Sequence, residues 1–324
     1  MKPLINFDYH SIVRKIFTAT KIGKFRDAAS ERLFIVSKCI ALLLLVSAAA
    51  GIGKAWHWAK DGFTIRRIGV FSMPEIKSYP LDAASEAALQ QKYYYLSRGH
   101  QCYAFVSEDG RYILKLPRYD LYQTPFWMRA CRFPFVERAH NAFVADKQKR
   151  LRFLLGSFKI AFEELKEETA LLYSHLGRTD QLDKTVLIQD RIGRSYSIDL
   201  DRTSFLLQTY QPLMMPLCQS SVLSGDREKA KEILNAFIEL IALRAGKGIF
   251  NKDPSFFRNF GMKGAKGVQI DVGSFYRLQS GIFVDSFSQT AGHVTEWLAR
   301  LDPEMAAWFD LQVQQILAKG NVCE

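Results

Sequence analysis

The stretch "GIFNKDPSFFRNFGMKGAKGVQIDVGSF", residues 248–275, sets two carboxylates, Asp253 and Asp271, and one carboxamide, Asn259, among apolar and glycine-rich segments. Oxygen donors at the edges of short hydrophobic runs suit a hard cation such as Mg²⁺, which takes a few protein ligands alongside phosphate oxygens. Each residue also has a plainer reading. Asp253-Pro254 opens a turn, Asn259 caps a segment, and Asp271-Val272-Gly273 ends a strand. The joint spacing behind a long helical segment is what favours the cation.

That preceding segment is read as a helix from Gly225, with Asp226 as its cap. Leu234, Phe237, Ile238 and Ile241 form its apolar stripe, and it ends at Gly246 and Gly248. Downstream, Asp302-Pro303 opens a C-terminal helix with Met305, Phe309, Val313 and Ile316 facing inward. Upstream, "YYYLSRGHQCYAFVSEDGRYILKLPR" (93–118) carries β-rich runs at 94–97, 102–107 and 111–116 around Gly99 and the turn Glu108-Asp109-Gly110. This predicts an antiparallel meander. "SFKIAFEELKEETALLYSHL" (157–176) predicts a helix with Ala161, Leu165, Leu172 and Leu176 on one face. "KTVLIQDRI" and "SFLLQTYQP" predict two further strands. "SIDLDRTS" (197–204) is expected to be a β-turn, not an Asp199/Asp201 metal pair.

A chain of 324 residues with 48% hydrophobic content can bury one large core or two smaller ones. Its net charge of +11 is concentrated at one end: residues 1–70 hold twelve Lys and Arg against four Asp and Glu, leaving +3 for the rest. That distribution argues against a nucleic-acid surface on the folded part. Five scattered cysteines (Cys39, Cys102, Cys131, Cys218, Cys323) with no C-x-x-C spacing argue against a disulfide framework or zinc site. They suit a reducing compartment.

"LFIVSKCIALLLLVSAAAGIG", residues 33–53, is a candidate membrane segment, with Lys38 near one end and Trp56 and Trp58 where an aromatic belt would sit. An uncleaved anchor is expected. A secretory signal is the rival, although more than thirty residues precede the apolar run; a buried or interfacial helix is the third reading. Both flanks are basic, so the positive-inside rule votes weakly; the slightly greater Lys/Arg count before the segment favours a cytoplasmic N-terminus and a C-terminal domain outside. The expected organisation is a basic N-terminal region (1–80), a linker (81–92), a small lobe (93–211) with an insertion at 117–155, and a helical lobe (212–324).

Glycine turn, hairpin, strand ending in Lys115, Glu-bearing helix, two strands, long helix, Asp253 to Asn259, then Asp271-Val272-Gly273: in this order the chain resembles the protein-kinase-like superfamily. It is closer in style to compact bacterial phosphotransferases such as the lipopolysaccharide core sugar kinases. The resemblance spans about residues 93–276 and rests on motif order and spacing. It implies an α+β, protein-kinase-like bilobal fold, a small antiparallel sheet lobe plus a mainly helical lobe, behind an N-terminal membrane-anchoring helix. ATP and Mg²⁺ are the implied cofactors. Lys115 would meet phosphates, paired with Glu168 or, second, Glu164. Gly99 would sit in the loop over the nucleotide, and the backbone from Gln208 through Tyr210 to Gln211 would meet adenine. Asp253 would act on the acceptor hydroxyl, while Asn259 and Asp271 would hold the metal. ATP use would put the C-terminal domain in the cytoplasm.

The departures are specific. Five residues separate Asp253 from Asn259 where the superfamily has four, Asn251 replaces the loop histidine, and Val272 replaces phenylalanine. Gly99 stands alone in its loop. These features keep open a pseudokinase, a membrane-anchored interaction protein without catalysis; an unrelated α+β domain is a third reading. Only 53 residues follow Asp271 and no Ala-Pro-Glu signature occurs, which leaves little to bind a peptide. The insertion mixes Phe126, Trp127, Phe133 and Phe135 with Arg129, Arg132, Arg138 and Arg150, a composition of membrane interfaces and equally of an aromatic insert packed on the small lobe. A membrane lipid or lipid-linked small-molecule hydroxyl is the expected acceptor.

Overall fold

The structure, a computed structural model, describes residues 36–71, 79–125, 128, 137–253, 255–277 and 283–320. The chain divides into two compact units, one ending at Gly62 and the other starting at Phe63.

In the first unit, helix α1 (Val36–Ala59) is long and apolar enough to cross a membrane, with a mean hydropathy of 2.0 over its best window and none of that window buried. Leu42, Leu43, Leu44, Leu45 and Val46 are all exposed, an apolar surface that water disfavours and hydrocarbon would accept. The helix runs past the expected end at residue 53, so Trp56 and Trp58 belong to its last turns. Residues 33–35 of the expected span lie outside the described residues.

The second unit is mixed α and β. A seven-stranded sheet runs in the order β4-β7-β3-β2-β1-β5-β6. Strands β1 (Tyr93–Arg98), β2 (Cys102–Ser107) and β3 (Tyr112–Pro117) form the expected meander. Side chains on β2 alternate strictly, so Tyr103 and Phe105 enter the core as a two-residue period requires. Gly110, at φ +71, makes the β2–β3 turn in a conformation that other L-residues resist. The sheet is completed by β4 (Leu171–His175), the hairpin β5 (Thr185–Gln189) and β6 (Ser195–Asp199), and β7 (Phe205–Thr209). Phe63, Ile68, Ala88 and Leu89 join this core. The folded body therefore starts well before the expected 81–92 linker, part of which is the short helix α2 (Ala83–Leu89).

Helix α3 (Glu137–Glu163) joins β3 to β4. Its first half occupies the end of the expected insertion; Phe126, Trp127, Arg129, Arg132, Phe133 and Phe135 lie outside the described residues. The helix expected over 157–176 is corrected here. It ends at Glu163, a turn follows with Ala170 at φ +53, and Leu171 to His175 are strand. Leu171 and Tyr173 satisfy the strand's two-residue alternation as well as any helical period, and pairing with β7 decides between them.

The helical part contains α4 (Met214–Leu223), α5 (Arg227–Gly246), α6 (Phe256–Asn259), α7 (Phe283–Leu301) and α8 (Pro303–Gly320). Asp226 caps α5 by accepting from Lys229 N, as expected, and Asp302 does the same for α8 toward Met305 N. Phe237 on α5 stacks edge-on against Phe256 and Phe260, each at 4.9 Å between ring centroids. A third cluster lies between sheet and helices, where Leu154, Leu155 and Phe158 of α3 meet Ile249, Val272 and Phe275.

Candidate functional site

Residues 248–275 fold as two short hairpin-like pairings. β8 (Ile249–Asn251) pairs with β11 (Phe275–Arg277), while β9 (Phe260–Lys263) pairs with β10 (Lys266–Gln269). The second pairing folds the segment between Asn259 and Asp271 back on itself, with Gly264 turning at φ +62. Ile270 N donates to Asn259 O at 2.7 Å, so Asn259 and the residue before Asp271 become neighbours. The approach is close enough that a Cβ on Gly261 would stand 2.9 Å from Ile270 Cδ1 and 3.0 Å from Pro212 O.

Asp253 and Asn259 are tied directly. Asn259 Nδ2 donates to Asp253 O at 3.0 Å, and Asp253 N donates to Asn251 Oδ1 at 2.8 Å. The extra residue between them is taken up by the single turn of α6, anchored by the buried Phe256. Asp253 itself is exposed, Asn259 is buried and Asp271 is half-buried. Asp271 Oδ1 accepts from Gly273 N at 3.1 Å, which fixes one carboxylate oxygen over its own turn.

Lys115, on β3, reaches this segment. Its Nζ donates to Ile270 O at 2.7 Å, immediately beside Asp271. Burial pushes the Lys115 ammonium below its ordinary pKa, while the neighbouring Asp271 charge works in the opposite direction. Cys102, facing the same amine, is pushed up to about 12 by burial. The same carbonyl, Ile270 O, also accepts from Gln208 Nε2 at 3.3 Å.

Glu168 is not the partner of Lys115. It lies beyond the end of α3 and pairs with Lys247 at 2.9 Å. Glu164, the second choice, pairs with Arg277. The buried face of α3 consists of Leu154, Leu155, Ser157, Phe158 and Ala161, with no carboxylate. Ser157 was missed as a site residue: its hydroxyl donates to Val272 O at 2.5 Å and accepts from Phe275 N at 2.6 Å. Only its placement opposite Asp271-Val272-Gly273 reveals it.

Gln208 also departs from expectation. It lies in the interior strand β7, paired to Ile113 on one side and Leu171 on the other, so its backbone is committed to the sheet. Its side chain is buried and reaches Thr169 O at 2.8 Å. Tyr210 has an exposed ring, and its N–H donates to Arg111 O at 2.7 Å. Gly99 sits in the exposed β1–β2 loop, where its N–H closes on Cys102 O at 2.8 Å. From that loop Gln101 Nε2 donates to Gly273 O at 3.0 Å, a contact the sequence did not announce.

Two further cations tie the segment to its surroundings. Arg244, in the last turn of α5, is buried and hydrogen-bonded to Gln269, and burial lowers its pKa to about 10. Lys252 Nζ lies 4.0 Å from the ring centroid of Phe153 and 5.6 Å from that of Tyr276. Asp199 ends β6, and Asp201 accepts from Thr179 Oγ1 and from the backbone N–H groups of Gln181, Leu182 and Asp183. Among the described residues no three His, Cys, Asp or Glu side chains gather as a metal cluster. A carboxamide with a carboxylate, as in Asn259 and Asp271, is nonetheless a hard-oxygen set that suits Mg²⁺.

No family model and no curated protein sequence matches the chain. Solved structures similar to it include two of WbdD. A 2.2 Å crystal structure of WbdD shares 14% identity at a TM-score of 0.31, covering 64% of this chain and 36% of that one. A second WbdD structure, described as a bifunctional kinase-methyltransferase, shares 16% identity at a TM-score of 0.31, covering 68% and 43%. The chain thus spans less than half the length of these proteins, and a likeness at that score assigns neither fold nor function.

Proposed function

We infer that the second unit is a protein-kinase-like phosphotransferase that uses ATP and Mg²⁺, tethered by α1 to a membrane and acting on a small-molecule or lipid-linked hydroxyl. The observation that carries this reading is the 2.7 Å bond from Lys115 Nζ to Ile270 O. It sets an amine from the sheet beside Asp271, while Ile270 N is bonded to Asn259 and Asn259 to Asp253. Residues scattered over more than 150 positions meet within a few hydrogen bonds, and an amine, two carboxylates and a carboxamide are the groups that phosphoryl transfer with Mg²⁺ uses.

In this reading the bound metal supplies charge neutralisation on the phosphates, and Asn259 and Asp271 hold it through oxygen. Lys115 leaves the Ile270 carbonyl for a phosphate oxygen. Asp253, exposed at the edge of the segment, orients the acceptor hydroxyl or takes its proton.

A second reading, a pseudokinase that serves as a membrane-anchored interaction protein, draws on different features. The buried face of α3 offers Lys115 no carboxylate, and Gln101 already lies on Gly273. A thermal-shift titration separates the two. At a hundredfold excess over the dissociation constant, a real nucleotide site gains about 2.7 kcal/mol. The phosphotransferase reading expects that gain with ATP and Mg²⁺ together and its loss in Asp271→Ala. A wild-type chain indifferent to both rejects it in favour of the pseudokinase.

A further inference from the structure

The segment that carries Asp271 is held by side chains from the sheet and from α3. Lys115 and Gln208 take the carbonyl of Ile270, Ser157 takes that of Val272, and Gln101 takes that of Gly273. Among these Ser157 differs in kind. It is fully buried, and its one hydroxyl both donates to Val272 O at 2.5 Å and accepts from Phe275 N at 2.6 Å. It therefore brackets the residues immediately after Asp271 from both sides. Two short bonds to one buried oxygen leave that segment little freedom, because losing either strands a polar backbone group away from water.

The rest of α3 explains why a hydroxyl has this task. Its acids are Glu137, Asp146 and Glu163. Asp146 pairs with Arg150 at 2.8 Å, Glu163 accepts from Tyr79 Oη at 2.6 Å, and Glu137 is exposed. None lies on the buried face. The helix cannot act on Lys115 through a carboxylate, so its polar reach toward the site is Ser157.

We propose that Ser157 is a positioning residue of this site: through Val272 O and Phe275 N it fixes the Asp271 carboxylate for a divalent cation, so that α3 governs metal binding and not the lysine. The proposal rests on the phosphotransferase reading. A hydroxyl in place of a charged pair makes the coupling insensitive to salt and leaves Lys115 with Asp271 as the acid that faces it.

The test uses the full chain in detergent and follows melting temperature. MgCl2 is titrated at fixed ATP, and ATP is titrated separately in EDTA. Three variants are compared: Ser157→Ala, Ser157→Val and Ser157→Thr. Val and Thr have nearly the same shape and share any steric cost, so their difference isolates the hydroxyl. The expected result is that Ala and Val need about tenfold more Mg²⁺ to reach half of the shift, as loss of a buried hydrogen bond implies. Thr stays close to wild type, and binding of ATP without metal is unchanged in all three. If wild type responds to Mg²⁺ with ATP while Val and Thr respond alike, the positioning role is overturned on its own. If wild type shows no metal-dependent response, the phosphotransferase reading falls first and takes this proposal with it.

Discussion

Lys247 Nζ lies 2.9 Å from Glu168 Oε1 and donates to Glu164 O at 2.9 Å, so one ammonium group clasps the turn that leads from α3 into the sheet. With Lys247 side chain 41% exposed and Glu168 19% exposed, the pair is worth at most about 1 kcal/mol. Glu168→Ala is expected to lower Tm by a few degrees, by less at high salt, and to leave the response to ATP and Mg²⁺ intact. A variant that melts like wild type but no longer responds to nucleotide would return Glu168 to the proposed phosphate site.

Lys115 makes a prediction about pH. Its folded pKa lies below the ordinary 10.5, so the unfolded chain binds more protons as pH climbs toward that value. Stability therefore rises with pH in the interval just below 10.5. Lys115→Met should abolish that rise, which urea unfolding of both chains across the interval will measure. The same variant should also lose the nucleotide response at neutral pH.

Asp201 behaves in the opposite sense. Its hydrogen bonds to Thr179 and to three backbone N–H groups hold its pKa at about 2, against an ordinary 3.8. The stability it supplies is complete above 3.8 and drains away as pH falls toward 2. Asp201→Ala, which takes the acceptor from those N–H groups, should cost about 1–3 kcal/mol at neutral pH in equilibrium unfolding. It should leave ATP binding unchanged, because the residue belongs to the β6–β7 turn.

Two glycines differ in how they tolerate a methyl group. At Gly267 a Cβ would stand 2.5 Å from Ala236 O, a helix backbone atom, and 2.7 Å from Met214 Cε. At Gly273 it would overlap the Gln101 amide at 1.5 Å, but that is the mobile end of a side chain. Gly267→Ala is expected to cost about 1–3 kcal/mol and Gly273→Ala less, despite the larger overlap. Melting curves of both, with Gln101→Ala added to Gly273→Ala, check this: the second change should recover most of the loss.

Helix α1 should hold the chain in membranes through sodium carbonate extraction. Leu44 is exposed in the middle of its apolar run. Leu44→Arg costs about 2.5–3.5 kcal/mol at a bilayer centre and should shift the protein toward the carbonate-soluble fraction. Extraction of the wild type to the same degree would argue against a transmembrane anchor.

Much of this architecture was legible because it depends on local chemistry. Asp109-Gly110 marks a hairpin, Asp226 and Asp302 cap helices, and a two-residue alternation such as that of 102–107 admits one pleated face. The run after Phe158 was misread for a physical reason. Leu165, Leu172 and Leu176 satisfy a helical period, yet the edge of β7 was free to pair with 171–175, and nonlocal pairing outweighed propensity. Helix α7 went unread although Phe287, Ala291, Val294 and Leu298 repeat at helical spacing, and all four are buried. In the candidate site, the spacing singled out Lys115, Asp253, Asn259 and Asp271, which the fold brings together. Ser157 and Gln101 were not, since a small polar residue acquires meaning only from the backbone group that the fold brings to it.

The carbonyl of Ile270 has two donors, Lys115 at 2.7 Å and Gln208 at 3.3 Å. An oxygen so attended can surrender one of them without becoming an orphan. Gln208 is therefore a standby donor: in the proposed phosphotransferase, the move of the Lys115 ammonium to a phosphate would not leave this acceptor bare.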